Sequence, residues 1–191
     1  MKSRLVVLLA VAIAALLTTH AGAGILYSGP INLTAAPTAG SATIYFDLDQ
    51  SSGTPAAMAS YIDSEFRLGF EFYGGSFQPE LTYLARQPIP GHGNIVYGPS
   101  FYRLAMLPAD TVIDENTQYW GSGDLLMYLD ANNDGYWDGG GVGFAGLYIY
   151  PGGAGTTQYG WARINYDDAN DWLTLVDFAV ETDFNTPITT G

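Results

Sequence analysis

The chain has 191 residues, 48% of them hydrophobic and 14% aromatic, with 24 Gly and no Cys. This composition excludes an intrinsically disordered chain and a disulfide-stapled one. Asp and Glu number 19 against 6 Lys and Arg, a formal charge of −13; that field repels phosphate backbones and anionic membrane surfaces, so nucleic acid is excluded as a partner and divalent cations are favoured.

At the start, Lys2 and Arg4 precede an apolar run from Leu5 to Leu17. The run is too short to cross a hydrocarbon layer of ~30 Å at about 1.5 Å per residue. Ala21-Gly22-Ala23 then supplies the small side chains that a signal peptidase pocket admits. Residues 1–23 therefore read as a signal peptide cleaved after Ala23, rather than as a buried or anchoring helix, and the protein is expected to be secreted. The remaining chain, 24–191, has no second apolar run long enough to span a membrane as a helix.

From Gly24 onward the pattern is one of strands. Ile25 to Tyr27 and Ala42 to Leu48 are the first candidates, and a turn or two of helix is expected near Pro55 to Asp63, where Ala56, Ala57, Met58 and Ala59 have the propensity. Glu65 to Phe72 alternates, with Phe66, Leu68, Phe70 and Phe72 on one face. Ile95 to Tyr97, Phe101 to Met106, Leu125 to Leu129, Val142 to Tyr150 and Gln158 to Tyr166 follow, rich in β-branched and aromatic residues. Leu173 to Val180 alternates again, setting Thr174, Val176, Phe178 and Val180 against Leu173, Leu175, Asp177 and Ala179. Turn signals such as Ser51-Ser52-Gly53, Gly74-Gly75, Pro90-Gly91, Asn133-Asp134-Gly135 and Pro151-Gly152-Gly153 separate the strands, and no linker interrupts them. The expected fold is a single all-β domain over 24–191, an antiparallel sandwich or jelly roll.

The sharpest local signal is Asp130-Ala131-Asn132-Asn133-Asp134-Gly135-Tyr136-Trp137-Asp138. Asp130, Asn132, Asp134 and Asp138 place oxygen side chains at alternating loop positions, Gly135 permits the sharp turn, and the Tyr136 carbonyl adds a further oxygen. This spacing suits Ca²⁺. Gly141 stands where an EF-hand needs a bidentate Glu, and the flanks read as strands, so the loop is similar to the calcium loops of integrin-type propeller blades, D-x-[DN]-x-D-G-x-x-D. The alternative is a polar hairpin whose Asn and Asp side chains bond their own backbone in Asx-turns. Asp47 and Asp49, two apart at a strand end, are a weaker ligand pair whose alternative is a solvated strand face.

Catalytic sets are nearly absent. Without Cys there is no thiol nucleophile or thiolate zinc site, and beyond the leader His92 is the only imidazole. Glu65, Glu71, Glu80, Glu115 and Glu181 leave a carboxylate pair for glycoside cleavage arithmetically open, without the close strand spacing of sandwich-fold glycanases. No Walker loop or dinucleotide fingerprint is present. Among the aromatics, Tyr119, Trp120, Tyr136, Trp137, Tyr159, Trp161 and Trp172 carry rings able to stack on sugars, though a sandwich core absorbs most such residues. Trp120 and Trp137 sit among turn residues and are the candidates for a glycan surface.

The end of the chain reads Gln158-Tyr159-Gly160-Trp161, then Leu173-Thr174-Leu175-Val176-Asp177-Phe178-Ala179-Val180-Glu181, then Asn185-Thr186-Pro187-Ile188, and its opening reads Tyr27-Ser28-Gly29-Pro30-Ile31-Asn32. Together these resemble the H-Y-G-W, L-T-I-x-D-x-A-Y-E, T-P-I and Y-S-G-P-[VI]-N-I patterns of uncharacterised exported proteins of bacteria with the PEP-CTERM/exosortase system. Gln158 and Val180 depart from that pattern, and the sequence ends at Gly191 where the sorting tail of that family would follow. The resemblance implies an exported protein released or held non-covalently, or a shortened copy, and it carries no activity. The expectation is a secreted, acidic, non-catalytic structural or binding module of an envelope or extracellular matrix, braced by calcium. Its partners would be extracellular polysaccharide or other envelope proteins. A carbohydrate-binding module is the alternative, and a glycan-active hydrolase or lyase the more distant one.

Overall fold

The computed structural model describes residues 24–37, 43–48, 56–58, 66–73, 76–83, 94–95, 104–117, 126–128, 137, 139–150 and 156–191. The expected signal peptide lies outside them. Thirteen strands are described: β1 (Ile25–Tyr27), β2 (Leu33–Ala35), β3 (Ile44–Asp47), β4 (Ala56–Met58), β5 (Phe66–Tyr73), β6 (Ser76–Tyr83), β7 (Asn94–Ile95), β8 (Val112–Ile113), β9 (Leu126–Tyr128), β10 (Gly141–Ile149), β11 (Gln158–Asp167), β12 (Trp172–Glu181) and β13 (Ile188–Thr189). All their pairings are antiparallel. One sheet runs β1-β12-β11-β10-β7, with β2 also on the outer edge of β12; a second runs β4-β3-β5-β6-β9; β13 and β8 form a small third ladder.

The two large sheets face each other across one core, which makes the domain a β-sandwich. Ile44, Phe46, Phe66, Leu68 and Leu81 of the second sheet join Leu147, Ile164, Tyr166, Leu173, Leu175, Phe178 and Val180 of the first in a single buried cluster. Phe46 lies 5.2 Å from Phe178 and 5.4 Å from Phe66 between ring centroids. Each such side chain fully removed from water contributes roughly 1.5–3 kcal/mol. A smaller cluster on the outer face of the first sheet collects Phe144, Tyr148, Tyr159, Trp161 and Ala179 under Ile113 and Ile188 of the third ladder. Trp161 ties that ladder down, donating its Nε1–H to the Thr189 carbonyl at 3.1 Å.

Two expectations are corrected. The alanine-rich stretch at 56–58 is strand, not helix: it pairs with β3 as Tyr45↔Met58, Phe46↔Ala57 and Asp47↔Ala56. Three residues of helix propensity lose to a ladder that satisfies their backbone. The alternation in β12 also changes phase midway. Arg163 faces Asp177 and Ile164 faces Leu175, which leaves Val176 as the extra residue of a β-bulge. Leu173 and Leu175 before the bulge and Phe178 and Val180 after it therefore share the inner face.

The bulge is sealed by the opening motif. β1 and β2 are consecutive pieces of one edge, pairing with Ala179 to Glu181 and with Leu173 to Leu175. Between them the Val176 carbonyl accepts from the amides of Ile31 (2.8 Å) and Asn32 (3.2 Å), and the Phe178 amide donates to the Ser28 hydroxyl at 2.9 Å. Asn32 takes a left-handed conformation, φ 52°, which Asn tolerates better than most residues.

Candidate functional site

The acidic end of the first sheet is where the sequence concentrates its chemistry. β11 and β12 are joined there by Asp167-Asp168-Ala169-Asn170-Asp171. The Asp167 carboxylate holds the turn by accepting from the Asn170 amide at 3.3 Å and from its Nδ2 at 2.7 Å, the self-bonding that makes Asp and Asn turn formers. The buried Tyr166 hydroxyl lies 3.2 Å from Asp168 Oδ1 and 3.4 Å from Asp171 Oδ1. Burial, and then the two carboxylates beside it, push its phenol well above the ordinary range.

The candidate calcium loop returns to the sheet at this same end. Asp130, Asn132, Asp134, Tyr136 and Asp138 lie outside the described residues, as do Trp120 and His92, but the loop's exit is described. Trp137 is 1% exposed within the main core, and the Gly140 amide bonds the Trp137 carbonyl at 3.0 Å. Gly140 has φ +77°, and a Cβ there would stand 2.5 Å from the Tyr166 carbonyl oxygen and 3.1 Å from the Asp168 amide. Only glycine fits so close to the acidic turn. Trp137 thus anchors the loop and offers no exposed ring to a sugar, which corrects the expectation that it belongs to a glycan surface. Its Nε1 is buried with no hydrogen-bond partner among the described residues. Among those residues no three His, Cys, Asp or Glu side chains converge on a metal-sized focus.

The buried carboxylates are engaged elsewhere. Asp177, fully buried, accepts from Arg163 Nε at 2.9 Å, from Arg163 Nη2, and from the Tyr27 hydroxyl at 2.6 Å. The bond to Asp177 is the main reason that the Tyr27 phenol is raised above its usual range, with burial next. Glu80, fully buried on the second sheet, pairs with Arg67. Glu181, on the first sheet, accepts from the Asp183 amide at 3.1 Å. Asp47 is buried rather than lying on a solvated strand face, and Asp49 is outside the described residues.

Two features were not found by motif reading. One is the Tyr27, Asp177, Arg163 network, which joins the opening and closing motifs and was signalled only by a lone acid in an apolar strand. The other is the exposure of Trp172, whose ring is among those able to stack on sugars but which the sequence does not single out from the aromatics that a core absorbs; the structure leaves it 47% exposed. In comparisons with protein-family models, with curated proteins and with solved structures, no match to this chain is found.

Proposed function

We propose that the protein is an exported, acidic, non-catalytic scaffold whose 130–138 loop binds Ca²⁺ and braces one end of the sandwich. The observation that carries the reading is the anchored exit of that loop. Trp137 is held in the core, and Gly140, two residues past the loop, is pressed against Tyr166 and Asp168 of a second acidic turn. Carboxylates brought within 4–8 Å of one another repel by about 0.5–1 kcal/mol per pair in water, and a divalent cation reverses that sign. The structural engagement of Asp177, Glu80 and Glu181 supports the scaffold reading over a hydrolase. Glu80 and Glu181 also stand on different sheets.

A loop without a bidentate Glu should bind weakly, in the ~10⁻⁴ to 10⁻³ M range. At millimolar calcium it then adds about 0.4–1.4 kcal/mol, which raises the melting midpoint of a chain of this size by about 1–5 °C. The test is thermal unfolding in millimolar calcium and in chelator, for the natural chain and for Asp134→Ala. A calcium-dependent rise in the first and none in the second is expected; equal midpoints throughout would sink the reading.

A further inference from the structure

Among the described residues, the outer face of the first sheet is covered over only half its length. The third ladder lies on the rows that contain Tyr148, Tyr159, Trp161 and Phe144. Toward the acidic turn none of the described elements lies on that face. The register sets Val142 opposite Asn165, Asn165 opposite Thr174, and Thr174 opposite Thr34. Directly opposed residues share a face, so these four side chains form one row across β10, β11, β12 and β2. Val142 is 57% exposed, Thr34 is exposed, and Asn165 and Thr174 are half-buried. The next row toward the turn pairs Asp167 with Trp172, whose ring is 47% exposed.

We infer that this open half-face is a binding platform for an uncharged polysaccharide chain, with Trp172 as its stacking residue. The inference rests on the non-catalytic scaffold reading above and adds a ligand class to it. Three observations select the occupant. The four-strand row spans about 14 Å at three spacings of about 4.8 Å, which suits an extended polymer lying across the strands. Its chemistry is that of sugar recognition: an exposed indole for the apolar face of a pyranose, beside an amide, two hydroxyls and a carboxylate for ring hydroxyls. The two threonine hydroxyls already bond one another at 2.9 Å, which fixes their orientation across the strand pair.

Charge decides the rest. Arg163, beside the row, is neutralised by Asp177, so among the described residues the platform offers no free cation to an acidic polymer. The whole chain carries −13, which opposes both an anionic glycan and a second copy of itself brought face to face. An uncharged chain meets neither penalty.

The test is native electrophoresis in millimolar calcium, in gels cast with hydroxyethylcellulose, galactomannan, soluble starch or, as the acidic control, polygalacturonate. Retardation in at least one uncharged gel and none in polygalacturonate is expected. Trp172→Ala should weaken it about tenfold or more, as loss of a central aromatic anchor does, while Trp172→Tyr retains most of it. Val142→Glu, at an exposed position with no packing to lose, should weaken binding as well and covers the case of a poorly folded Trp172→Ala. Free mobility in all three uncharged gels overturns the proposal. So does retardation that survives both Trp172→Ala and Val142→Glu, retardation in polygalacturonate alone, or a dimer by sedimentation that Trp172→Ala dissociates. The calcium shift of the melting midpoint is read separately and should survive in Trp172→Ala, so failure of the platform and failure of the calcium-braced scaffold give different results.

Discussion

Gly160 shows how a single position can be fixed from both sides. A Cβ there would lie 2.6 Å from Leu48 Cδ2 and 2.7 Å from the Ala179 carbonyl oxygen. The leucine tip can turn aside, but the carbonyl belongs to the ladder between β11 and β12. Gly160→Ala is therefore expected to cost about 1–3 kcal/mol, the range for overpacking a tight core, read as a lowered urea midpoint. Its neighbours Tyr159 and Trp161 point to the opposite face, into the smaller cluster. The Y-G-W motif was thus readable as a pattern, but its cause was not, because Leu48 is distant in sequence. Trp137 was misjudged for a related reason. Turn residues on both sides suggest exposure, whereas a large ring at a loop's end can serve as the anchor that the loop folds around.

At the level of elements, the strands with strong alternation or dense aromatics, β3, β5, β10, β11 and β12, were legible in the sequence. Those escaping notice were short, like β2, β8 and β13, or carried a contrary residue. β6 contains Pro79, which normally argues against an interior strand. Among the described residues β9 reaches only Glu80 to Thr82, so there Pro79 has a ladder partner in β5 alone. The phase change in β12 was hidden because a bulge inserts a residue without any composition signal, and its partner motif lies at the far end of the chain. Ser28 is the residue of that motif that replaces a ladder carbonyl. Ser28→Ala leaves the Phe178 amide unsatisfied and should cost about 1–3 kcal/mol by chemical denaturation. Restoring a hydroxyl with Ser28→Thr should recover part of that loss.

For the molecule as a whole, the acidic surface and three phenols that hold their protons tightly set its response to alkali. Tyr27, Tyr159 and Tyr166 all hold their protons more tightly than a free tyrosine, Tyr159 and Tyr166 chiefly through burial and Tyr27 through its bond to Asp177. A group whose proton is held more tightly in the folded state contributes fully below its unfolded pKa, about 10 for tyrosine, and loses that contribution as pH rises beyond it. The melting midpoint should therefore fall as pH passes about 10, and fall less steeply in Tyr166→Phe. A midpoint equally sensitive to alkali in both would remove Tyr166 from this account. The fold class was legible from composition and spacing; the exposure around Trp172 was not, since it depends on which half of a sheet face the third ladder covers.

The edge strand β1 finds its partner about 150 residues further along the chain. Gly24 and Thr182 bond each other, and β1 lies against Ala179 to Glu181. During synthesis that segment stays unpaired until Ala179 to Glu181 have emerged, and so distant a pairing bears a large loop-closure entropy. Closure of the first sheet therefore waits on β12, and a ribosome stalled before residue 173 would hold a chain unable to close it.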